Sequence, residues 1–397
     1  MSKPKLPIYL DYQSTTPVDP RVVEAMLPFL ADKFGNAHSR THAFGWESEA
    51  AADLAREQVA TAIGADPKEI VFTSGATESN NLAIKGVLRF HKKKKNHLIT
   101  CLTEHKCVVE SIRDLMREGF DVTFLGVDRE GRIDLDALEA AVTEKTALVS
   151  IMAVNNEIGV TQPLEKIGAL CRERGVLFHT DAAQAVGKVA FDVETAKVDL
   201  ASLSGHKLYG PKGIGALYVR LKPRVRLEPL FSGGGQEQGL RAGTLPTALC
   251  VGFGAAAAIA MAEREEEAGR LLRLRARLLD GLRARLDGVT VNGSLEARVP
   301  GNLNVSFAGI NSETLMMELR DLALSTGSAC SSASHEPSYV LKALGLEDAL
   351  ADASIRIGLG RFTTEAEIDY AIGAFAEKVA KLRAQGAAPA PQPAAMR

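Results

Sequence analysis

Short apolar runs alternate with helical patterns through the middle of the chain, from about residue 70 to residue 220. Runs rich in Val, Ile, Leu and Phe predict seven strands there. The runs are EIVF (69–72), HLITC (97–101), DVTFL (121–125), ALVSIMA (147–153), VLFHT (176–180), VDLASLS (198–204) and GIGALYV (213–219). These repeated strand–helix units predict an α/β fold with a mostly parallel, seven-stranded sheet that helices cover on both faces.

A different pattern follows the seventh strand. Residues 242–262 carry no charge, but they are rich in Ala, Gly and Thr and include Pro246, which favours a buried helix over a membrane span. Residues 263–287 then predict a long amphipathic helix with a leucine stripe. The remaining pattern predicts a second, smaller α+β domain with strands at 302–307 and 354–359 and helices at 312–320 and 364–383.

These changes of pattern divide the chain into four parts. They are an N-terminal arm (1–20), a large domain (21–262), a small C-terminal domain (263–382) and a tail (383–397). The tail contains GAAPAPQPAAMR, which has no packing pattern. We therefore expect the tail to be disordered.

Charge and cysteine content restrict the class of protein. The chain has 47 Lys and Arg against 49 Asp and Glu, a net charge of −2, so no overall field attracts nucleic acid or an anionic membrane. The start, MSKPKLPIYLDY, has no apolar stretch typical of a signal peptide, which predicts a cytoplasmic protein. Five cysteines without a C-x-x-C pair make a disulfide framework or a zinc site unexpected.

Polar residues follow the ends of five predicted strands. Ligands of an open parallel sheet bind beyond the carboxyl ends of its strands, so we expect these residues to face one site. Taken singly, each has an ordinary explanation as a helix cap, a core histidine or a surface lysine. Together at one edge they favour a ligand site, formed by Thr77, His105, Asn156, Asp181, Gln184, Ser204, His206 and Lys207.

The glycine-rich stretch SGHKLYGPKGIG (204–215) raises the question of which ligand is bound. It nearly matches a nucleotide phosphate loop, but Pro211 has no N–H for a phosphate and Gly213 stands where a hydroxyl is needed. A covalent lysine is the alternative. We prefer Lys207 to Lys212 because Lys207 directly follows a strand end.

Pyridoxal phosphate matches this set of residues. The cofactor needs a lysine for a Schiff base, an acid opposite its pyridinium nitrogen and a phosphate cradle at a helix N-terminus. Lys207, Asp181 and the turn at residues 75–77 supply these groups, with Ser204 and His206 as further phosphate donors.

Motifs along most of the chain resemble those of the cysteine desulfurases, in particular the housekeeping iron–sulfur cluster type. They are YLDYQSTTPVDPRV, FGNAHSRTHAFGWE, TSGATESNNLAIKG, TEHKCVVES, VSIMAVNNEIGV, DAAQAVGK, SGHKLYGPKGIGALYVR, RAGTLPTALCVGFG, STGSACSSASHEPSYVLKALG and SIRIGLGRFTTEAEID. The resemblance covers residues 8 to 380. It implies a fold-type I pyridoxal phosphate homodimer that removes sulfur from L-cysteine and leaves L-alanine.

The resemblance also implies a role for each candidate residue. Lys207 is the implied Schiff-base lysine, His105 stacks on the ring and shuttles protons, and Cys330 takes the sulfur as a persulfide. Asn156 and Arg356 bind the substrate carboxylate, Arg356 through a bidentate fork. The implied cofactor contacts are Ala76, Thr77, Asp181, Gln184 at the phenolic oxygen, Ser204, His206, Lys207 and Thr244, which reaches the cofactor of the other subunit.

Cys330 lies in STGSACSSAS, a run of small residues that we expect to form a mobile loop in the small domain. The other cysteines differ: Cys101, Cys171 and Cys250 lie in apolar patterns typical of buried residues, and Cys107 has no role that the sequence indicates. The resemblance implies that sulfur passes to an iron–sulfur scaffold protein and to other acceptors. No metal site is predicted, apart from a cluster that Cys330 could bind transiently with a partner.

Two alternatives remain open at the level of sequence. The cofactor residues alone allow other pyridoxal phosphate reactions, such as selenocysteine lysis or transamination, although a transaminase has no need of a thiol at Cys330. A catalytically silent binding protein with the same fold is the alternative from another class. The filled catalytic positions argue against it.

Overall fold

The computed structural model describes residues 4–326 and 337–386, so Cys330 and its loop lie outside the described residues. The strands are β1 Ile8–Tyr9, β2 Ile70–Thr73, β3 His97–Cys101, β4 Asp121–Leu125, β5 Thr146–Ser150, β6 Leu177–Asp181, β7 Leu200–Ser204, β8 Gly215–Val219, β9 Val289–Val291, β10 Asn302–Phe307, β11 Leu322–Ala323 and β12 Ser354–Gly358. The helices are α1 Pro20–Met26, α2 Pro28–Ala31, α3 Ala43–Thr61, α4 Ala76–His91, α5 Lys106–Arg117, α6 Leu135–Ala141, α7 Leu164–Arg174, α8 Thr247–Arg283, α9 Ser312–Glu318, α10 Tyr339–Ala343, α11 Asp348–Ala351 and α12 Glu365–Ala384.

The central sheet has seven strands in the order β2–β8–β7–β6–β5–β3–β4. Neighbours from β7 to β4 are parallel, whereas β8 is antiparallel to both β7 and β2. All residues of β3, β5, β7 and β8 are buried, as in a sheet that is covered on both faces. The predicted α/β fold with a mostly parallel sheet is confirmed.

One predicted strand, 147–153, is shorter in the structure and ends at Ser150. On the β6 side the backbone N–H of Ala153 still donates to the carbonyl of Asp181 at 2.9 Å. On the β3 side the N–H of Met152 donates to the side chain of Glu104 at 2.6 Å. The regular ladder ends because β3 has ended and a carboxyl group takes the place of a strand carbonyl.

The C-terminal part of the chain forms a second, antiparallel sheet in the order β12–β10–β9. The sequence analysis missed β9, because a three-residue strand is too short to show a period. The N-terminal arm joins this part: β1 pairs in parallel with β11, with Ile8 opposite Leu322. Ile8 and Leu10 are buried in the core of the C-terminal sheet.

Helix α8 is continuous across the predicted domain boundary between residues 262 and 263. The sequence predicted two successive helices, and they form one because no proline interrupts them after Pro246. Phe253 belongs to the core of the central sheet, whereas Leu278 belongs to the core of the C-terminal sheet. The helix thus joins two cores, and the division of the chain into domains stays a prediction.

The apolar first part of α8 is a buried core segment, as the sequence indicated. Among the described residues, α8 is the helix with the length and composition of a membrane span. However, Phe253, Ala256 and Ala260 are at most 3% exposed and pack against the central sheet. The length and mean hydropathy of this helix alone would therefore wrongly indicate a membrane span.

The last helix, α12, extends through Ala384, beyond the predicted start of the tail at residue 383. Arg383 holds this end, because its Nε donates to the carbonyl of Ala308 at 2.9 Å and its Nη2 to that of Asp287 at 3.0 Å. Residues 387–397 lie outside the described residues. The expected disorder of the tail stays a prediction.

The arm packs closely against the C-terminal sheet at two glycines. A Cβ at Gly358 would lie 2.0 Å from Oε1 of Gln13 and 2.7 Å from the backbone N of Tyr12. A Cβ at Gly360 would lie 2.1 Å from Cδ1 of Tyr12. The N–H of Gly358 also donates to the carbonyl of Leu10 at 2.7 Å. The arm can occupy this position only because these residues have no side chain.

Gly358→Ala is expected to lower the free energy of unfolding by about 1–3 kcal/mol, because the added methyl group must displace the arm. Gly269→Ala in α8 is the matched control: a Cβ there would meet nothing closer than 3.8 Å, at Nη1 of Arg273. That change should stabilise the helix by about 0.5–1 kcal/mol. Urea denaturation, followed by circular dichroism, measures the free energy of unfolding of both variants. A Gly358→Ala protein as stable as wild type would contradict the close packing.

Candidate active site

The strand ends bring predicted site residues to one edge of the central sheet. Asp181 is the last residue of β6 and Ser204 is the last residue of β7. Lys207 lies in a 3-10 turn directly after β7, and His105 caps α5 after β3. Helix α4 begins at Ala76, just beyond β2. Because these strands run in the same direction, the structure brings together the residues predicted to bind one ligand.

The Asp181 carboxyl group is held by two donors. Its Oδ2 accepts from Nδ2 of Asn80 at 2.7 Å, and its Oδ1 accepts from the backbone N–H of Ala183 at 3.0 Å. Asp181 is 6% exposed, and Asn80 on α4 is fully buried. The two donors fix the orientation of the carboxylate, as a partner of a positively charged ring nitrogen requires.

The turn before α4 has the features of a phosphate cradle. Gly75 has a φ of 150°, a conformation that residues with a side chain rarely adopt. A Cβ at Gly215 would lie 2.6 Å from the Cα of Gly75, so the two backbones meet closely. The first N–H groups of this 16-residue helix have no carbonyl partners within it, and they begin at Ala76 and Thr77. Such groups favour an anion.

Lys207 and Gln184 both contact the N-terminal arm. The Nζ of Lys207 donates to the carbonyls of Gln13 and Ser14, at 2.8 and 2.6 Å. The Nε2 of Gln184 donates to the same Gln13 carbonyl at 2.8 Å. Two predicted cofactor residues thus face the same short segment of the arm.

His206 is held by the next two residues of the arm. Its Nδ1 lies 3.0 Å from Oγ1 of Thr15, and its carbonyl accepts from the N–H and the hydroxyl of Thr16, each at 3.1 Å. Burial, together with the nearby charge of Lys207, lowers the pKa of His206 to about 4. A neutral imidazole still has one N–H that can donate to an anion. The hydroxyl of the buried Ser204 can donate to an anion as well.

His105 contacts Cys107, the cysteine to which the sequence analysis gave no role. The Nδ1 of His105 accepts from the backbone N–H of Cys107 at 3.2 Å and lies 3.0 Å from its Sγ. A ring nitrogen that accepts this bond carries no proton, which assigns the proton of the neutral ring to Nε2. Asn80 Nδ2 lies 3.2 Å from the same Sγ. Cys107 therefore lies beside two residues of the candidate site.

Arg356 on β12 reaches from the C-terminal sheet to the same place. Its Nη1 donates to the carbonyl of Asn156 at 3.0 Å. Its Nη2 donates to Oδ1 of Asp11 at 2.8 Å and to Oγ of Ser14 at 2.6 Å. The buried Nε of Arg356 has no hydrogen-bond partner among residues 4–326 and 337–386. Both predicted carboxylate-binding residues are thus adjacent, although it is the backbone of Asn156 that makes the contact.

Two predicted residues are not brought into this group. Thr244 is exposed in the segment before α8, and its predicted contact is with the other subunit. Cys330 lies outside the described residues. The described chain on either side of its loop does contact the site. The carbonyl of Ser325 accepts from the N–H of Arg356 at 2.7 Å, and the hydroxyl of Tyr339 donates to the carbonyl of Glu104 at 2.6 Å.

Two buried carboxyl groups next to predicted site residues were missed by the sequence analysis. Burial, together with the negative charge of Asp181, raises the pKa of Glu104 to about 8. Burial raises the pKa of Glu157 to about 7. In the sequence, only their position next to predicted residues could have indicated them, since Glu104 precedes His105 and Glu157 follows Asn156. Within the described part of the chain, each side chain has one oxygen without a hydrogen-bond partner.

The residues that the structure brings together fit pyridoxal phosphate. They provide an amine at Lys207, a carboxylate at Asp181, an imidazole at His105 and helix N–H groups at a turn that excludes a side chain at Gly215. A fixed carboxylate opposite an amine, with a separate anion cradle, is the chemistry that this cofactor requires. The residues that would hold it are Ala76, Thr77, Asp181, Gln184, Ser204, His206 and Lys207.

Comparisons with known proteins agree with this fit. The profile of the class-V aminotransferase family matches residues 8–371. The cysteine desulfurase IscS of Rickettsia rickettsii (strain Iowa) is 58% identical over 379 residues, which cover 96% of this chain and 92% of that protein. The cysteine desulfurase IscS of Rickettsia felis (strain ATCC VR-1525 / URRWXCal2) is 57% identical over 383 residues, which cover 96% and 93%. The chain belongs to the class-V aminotransferase family, among the cysteine desulfurases.

Solved structures show the same relationship. A NifS-like protein is 39% identical with a TM-score of 0.88, over 94% of this chain and all of that chain. The structure of SspA in complex with cysteine is 40% identical with a TM-score of 0.79, over 90% of this chain and all of that one. The predicted resemblance to the cysteine desulfurases is confirmed, and pyridoxal phosphate is the family's cofactor.

The raised pKa of Glu104 predicts a pH-dependent stability. Its pKa in the folded protein is about 8 against an ordinary 4.5, so unfolding between these values releases a proton. The contribution of the protonated form is fully present below pH 4.5 and is lost as the pH rises through about 8. Glu104→Gln cannot ionise and keeps an acceptor for Met152. We expect this variant to gain stability over wild type with rising pH, by on the order of 3 kcal/mol at pH 8.

Thermal melting at several pH values from about 5 to 8 measures this difference. Glu173→Gln is the matched control, because Glu173 is exposed on α7 and its replacement should shift the melting temperature little at any pH. A constant difference between Glu104→Gln and wild type across that range would show that Glu104 is ionised in the folded protein.

Proposed function

We propose that this protein converts L-cysteine to L-alanine with pyridoxal phosphate as cofactor, and that Cys330 receives the sulfur as a persulfide. The enzyme acts in the cytoplasm as a homodimer and supplies sulfur to an iron–sulfur scaffold protein and to other acceptor proteins. The names of its curated relatives support the activity, and a similar protein of known structure binds cysteine.

One observation carries the proposal: Ser14 contacts both Lys207 and Arg356. The Nζ of Lys207 lies 2.6 Å from the carbonyl of Ser14, and Nη2 of Arg356 lies 2.6 Å from its hydroxyl. The predicted cofactor lysine and the predicted carboxylate-binding arginine therefore face the same residue. An amino acid that is bound through its nitrogen and its carboxylate needs such a lysine and such an arginine close to each other.

The cofactor, when bound, supplies an electron sink for the substrate carbon. The residues of the chain bind and orient. Arg356 would offer a planar fork to the substrate carboxylate. Asp181, which Asn80 holds in place, would supply the negative charge that a positive ring nitrogen needs. His105 has its proton on Nε2 because Nδ1 accepts from Cys107, and it therefore serves as a donor and acceptor of protons in the site.

The sulfur step balances without an external oxidant or reductant. The Cys330 thiolate attacks the substrate sulfur, and the carbon–sulfur bond breaks. The bonding pair remains on the substrate carbon, which takes a proton and becomes the methyl group of alanine. The carbon is reduced while the two sulfur atoms are oxidised to the level of a persulfide. The contacts of Ser325 and Tyr339 support this role, because they hold both flanks of the Cys330 segment beside the site.

Exposed apolar side chains support the homodimer. In the segment from α1 to α3, six large apolar residues are 53 to 69% exposed, namely Leu27, Leu30, Phe34, Phe44, Trp46 and Leu54. Phe34 and Phe44 stack with their ring centroids 5.4 Å apart. Exposed apolar groups of this kind mark interaction surfaces. A second subunit would also cover Thr244, which the resemblance assigns to the cofactor of the neighbouring subunit.

Arg356→Ala is expected to raise KM for cysteine about 10- to 100-fold, because a hydrogen bond to a charged group contributes about 1.5–3 kcal/mol. The visible absorbance of the bound cofactor should stay normal. Arg356→Lys should also bind poorly, since an ammonium group cannot form the planar two-point contact. Steady-state kinetics measure this, with Arg320→Ala, an exposed arginine of the small domain, as control. An Arg356→Ala enzyme with an unchanged KM would place the carboxylate site elsewhere.

Cys330→Ser is expected to bind the cofactor and cysteine but to release no sulfide with a reductant. A serine hydroxyl stays protonated near neutral pH, whereas a thiol with a pKa of ~8.5 supplies a few per cent thiolate. After incubation with cysteine, mass spectrometry of the wild type should find ~32 Da added to the Cys330 peptide. Cys171→Ala, on the buried face of α7, should keep full turnover. Sulfur on the Cys107 peptide, or full turnover by Cys330→Ser, would refute this role of Cys330.

A further inference from the structure

Lys188 is a lysine near the site to which neither the resemblance nor the catalytic scheme gives a task. Its Nζ donates to Oε1 of Gln184 at 2.6 Å. On the other side of the same amide, Nε2 of Gln184 donates to the carbonyl of Gln13 at 2.8 Å. That carbonyl also accepts from Nζ of Lys207 at 2.8 Å. Lys188 is therefore linked to the predicted cofactor lysine through one amide and one carbonyl.

These two contacts determine which end of the Gln184 amide points in each direction. The Gln13 carbonyl only accepts, so the NH₂ group of Gln184 must face it. An ammonium group only donates, so Oε1 of Gln184 must face Lys188. With the amide reversed, both contacts would become repulsive. Gln184 therefore presents a donor, and not an acceptor, toward the side on which Lys207 lies.

The surroundings of Lys188 disfavour a charged side chain. The side chain is partly buried and lines a cavity of about 30 Å³ between α8, the arm and the C-terminal sheet. Burial, together with the charges of Lys207 and Arg356, lowers the pKa of Lys188 to about 7, and the charge of Glu267 opposes this shift. The other titratable groups that line the cavity are Tyr12, Tyr209 and Arg264.

Gln13 is one of the residues that line the cavity. Its Nε2 donates to the carbonyl of Gly301 at 3.2 Å, and its buried Oε1 has no hydrogen-bond partner among the residues that the structure describes. A cavity of about 30 Å³ has room for one or two ordered waters. Polar groups of Gln13, Lys188 and Glu267 line it, which is a suitable environment for such water. Lys188 thus belongs to a group of polar residues that lies next to Gln184, one of the predicted cofactor residues.

We propose that Lys188 is a positioning residue, which holds the Gln184 amide so that its NH₂ group donates to the phenolic oxygen of the cofactor. This inference rests on the proposed function and on the contact of Gln184 with that oxygen, which the resemblance implies. Lys188 does not touch the cofactor in this scheme. It acts only through the orientation of the Gln184 amide.

A pH titration of the visible absorbance of the cofactor-loaded protein tests the proposal. Lys188→Met removes the donor that holds the Gln184 amide, so the NH₂ group is no longer fixed toward the phenolic oxygen and the pKa of this absorbance change should rise, by about one pH unit. Gln184→Met should raise it too, because the phenolic oxygen loses its donor. Lys188→Arg keeps a charged donor and should titrate close to wild type. If Lys188→Met does not fold, Lys188→Leu carries the same expectation.

The double variant distinguishes a positioning role from a general effect of charge. If Lys188 acts through Gln184, Lys188→Met should add little to the pKa of a protein that already carries Gln184→Met. If Lys188→Met raises this pKa by the same amount in the wild type and in Gln184→Met, the proposal is overturned. A Lys188→Met protein that titrates as wild type would also overturn it. A loss of melting temperature alone would indicate a structural role only, and would also overturn it.

The same experiment separates this proposal from the proposed function. A wild-type protein that gains no visible absorbance with pyridoxal phosphate, or releases no sulfur from cysteine, would overturn both. A wild type that does both, with variants of Lys188 that titrate unchanged, would overturn only the role of Lys188.

Discussion

The candidate site depends on one constraint, which is the position of the N-terminal arm between the central sheet and the C-terminal sheet. The side chains of Lys207, Arg356, His206 and Arg361 all contact this arm, at residues 11–19. The arm is fixed at its start by the pairing of β1 with β11 and at its end by Asp19, which caps α1. Several of its contacts are backbone carbonyls, which accept from cations without adding charge of their own. The arm therefore sets the separation of groups that belong to two different sheets.

Charge is separated across the site. Lys188, Lys207 and Arg356 lie on one side, and repulsion from these positive charges contributes to the lowered pKa values of Lys188 and the neighbouring His206. On the other side Asp181 carries the negative charge, and its proximity helps to keep the neighbouring Glu104 protonated. A concentration of positive charge suits a phosphate and a carboxylate, and a lone fixed carboxylate suits a positive ring nitrogen. The electrostatics of the chain thus match a ligand that is anionic at two ends and cationic in its ring.

The sequence predicted the central sheet well because each strand is a buried apolar run, and strand ends in a parallel sheet must share an edge. It also grouped Asp181, His206 and Lys207 correctly for that reason. It could not reveal the roles of Gln13, Ser14 and Asn80, since their contacts join residues 100 to 200 positions apart and no local pattern encodes them. The continuity of α8 was missed for a related reason: a change in the pattern of apolar residues marks a change of packing partner, not a break in the helix.

A buried network explains how the two sheets keep the geometry that an amino-acid substrate needs. Arg361, three residues after β12, donates to Asp19 of the arm at 2.7 Å and to Glu267 of α8 at 2.9 Å. Its guanidinium also lies over the ring of Tyr209, two residues after Lys207, at 4.2 Å. Buried ion pairs contribute little net stability, but each partner left alone is costly, so such a network favours one arrangement over its alternatives. Because Arg361 lies on the same segment as Arg356, and Tyr209 on the same segment as Lys207, the network links the segments that carry the proposed carboxylate-binding arginine and the proposed cofactor lysine. The relative position of these two side chains is therefore supported by contacts that lie outside the proposed site.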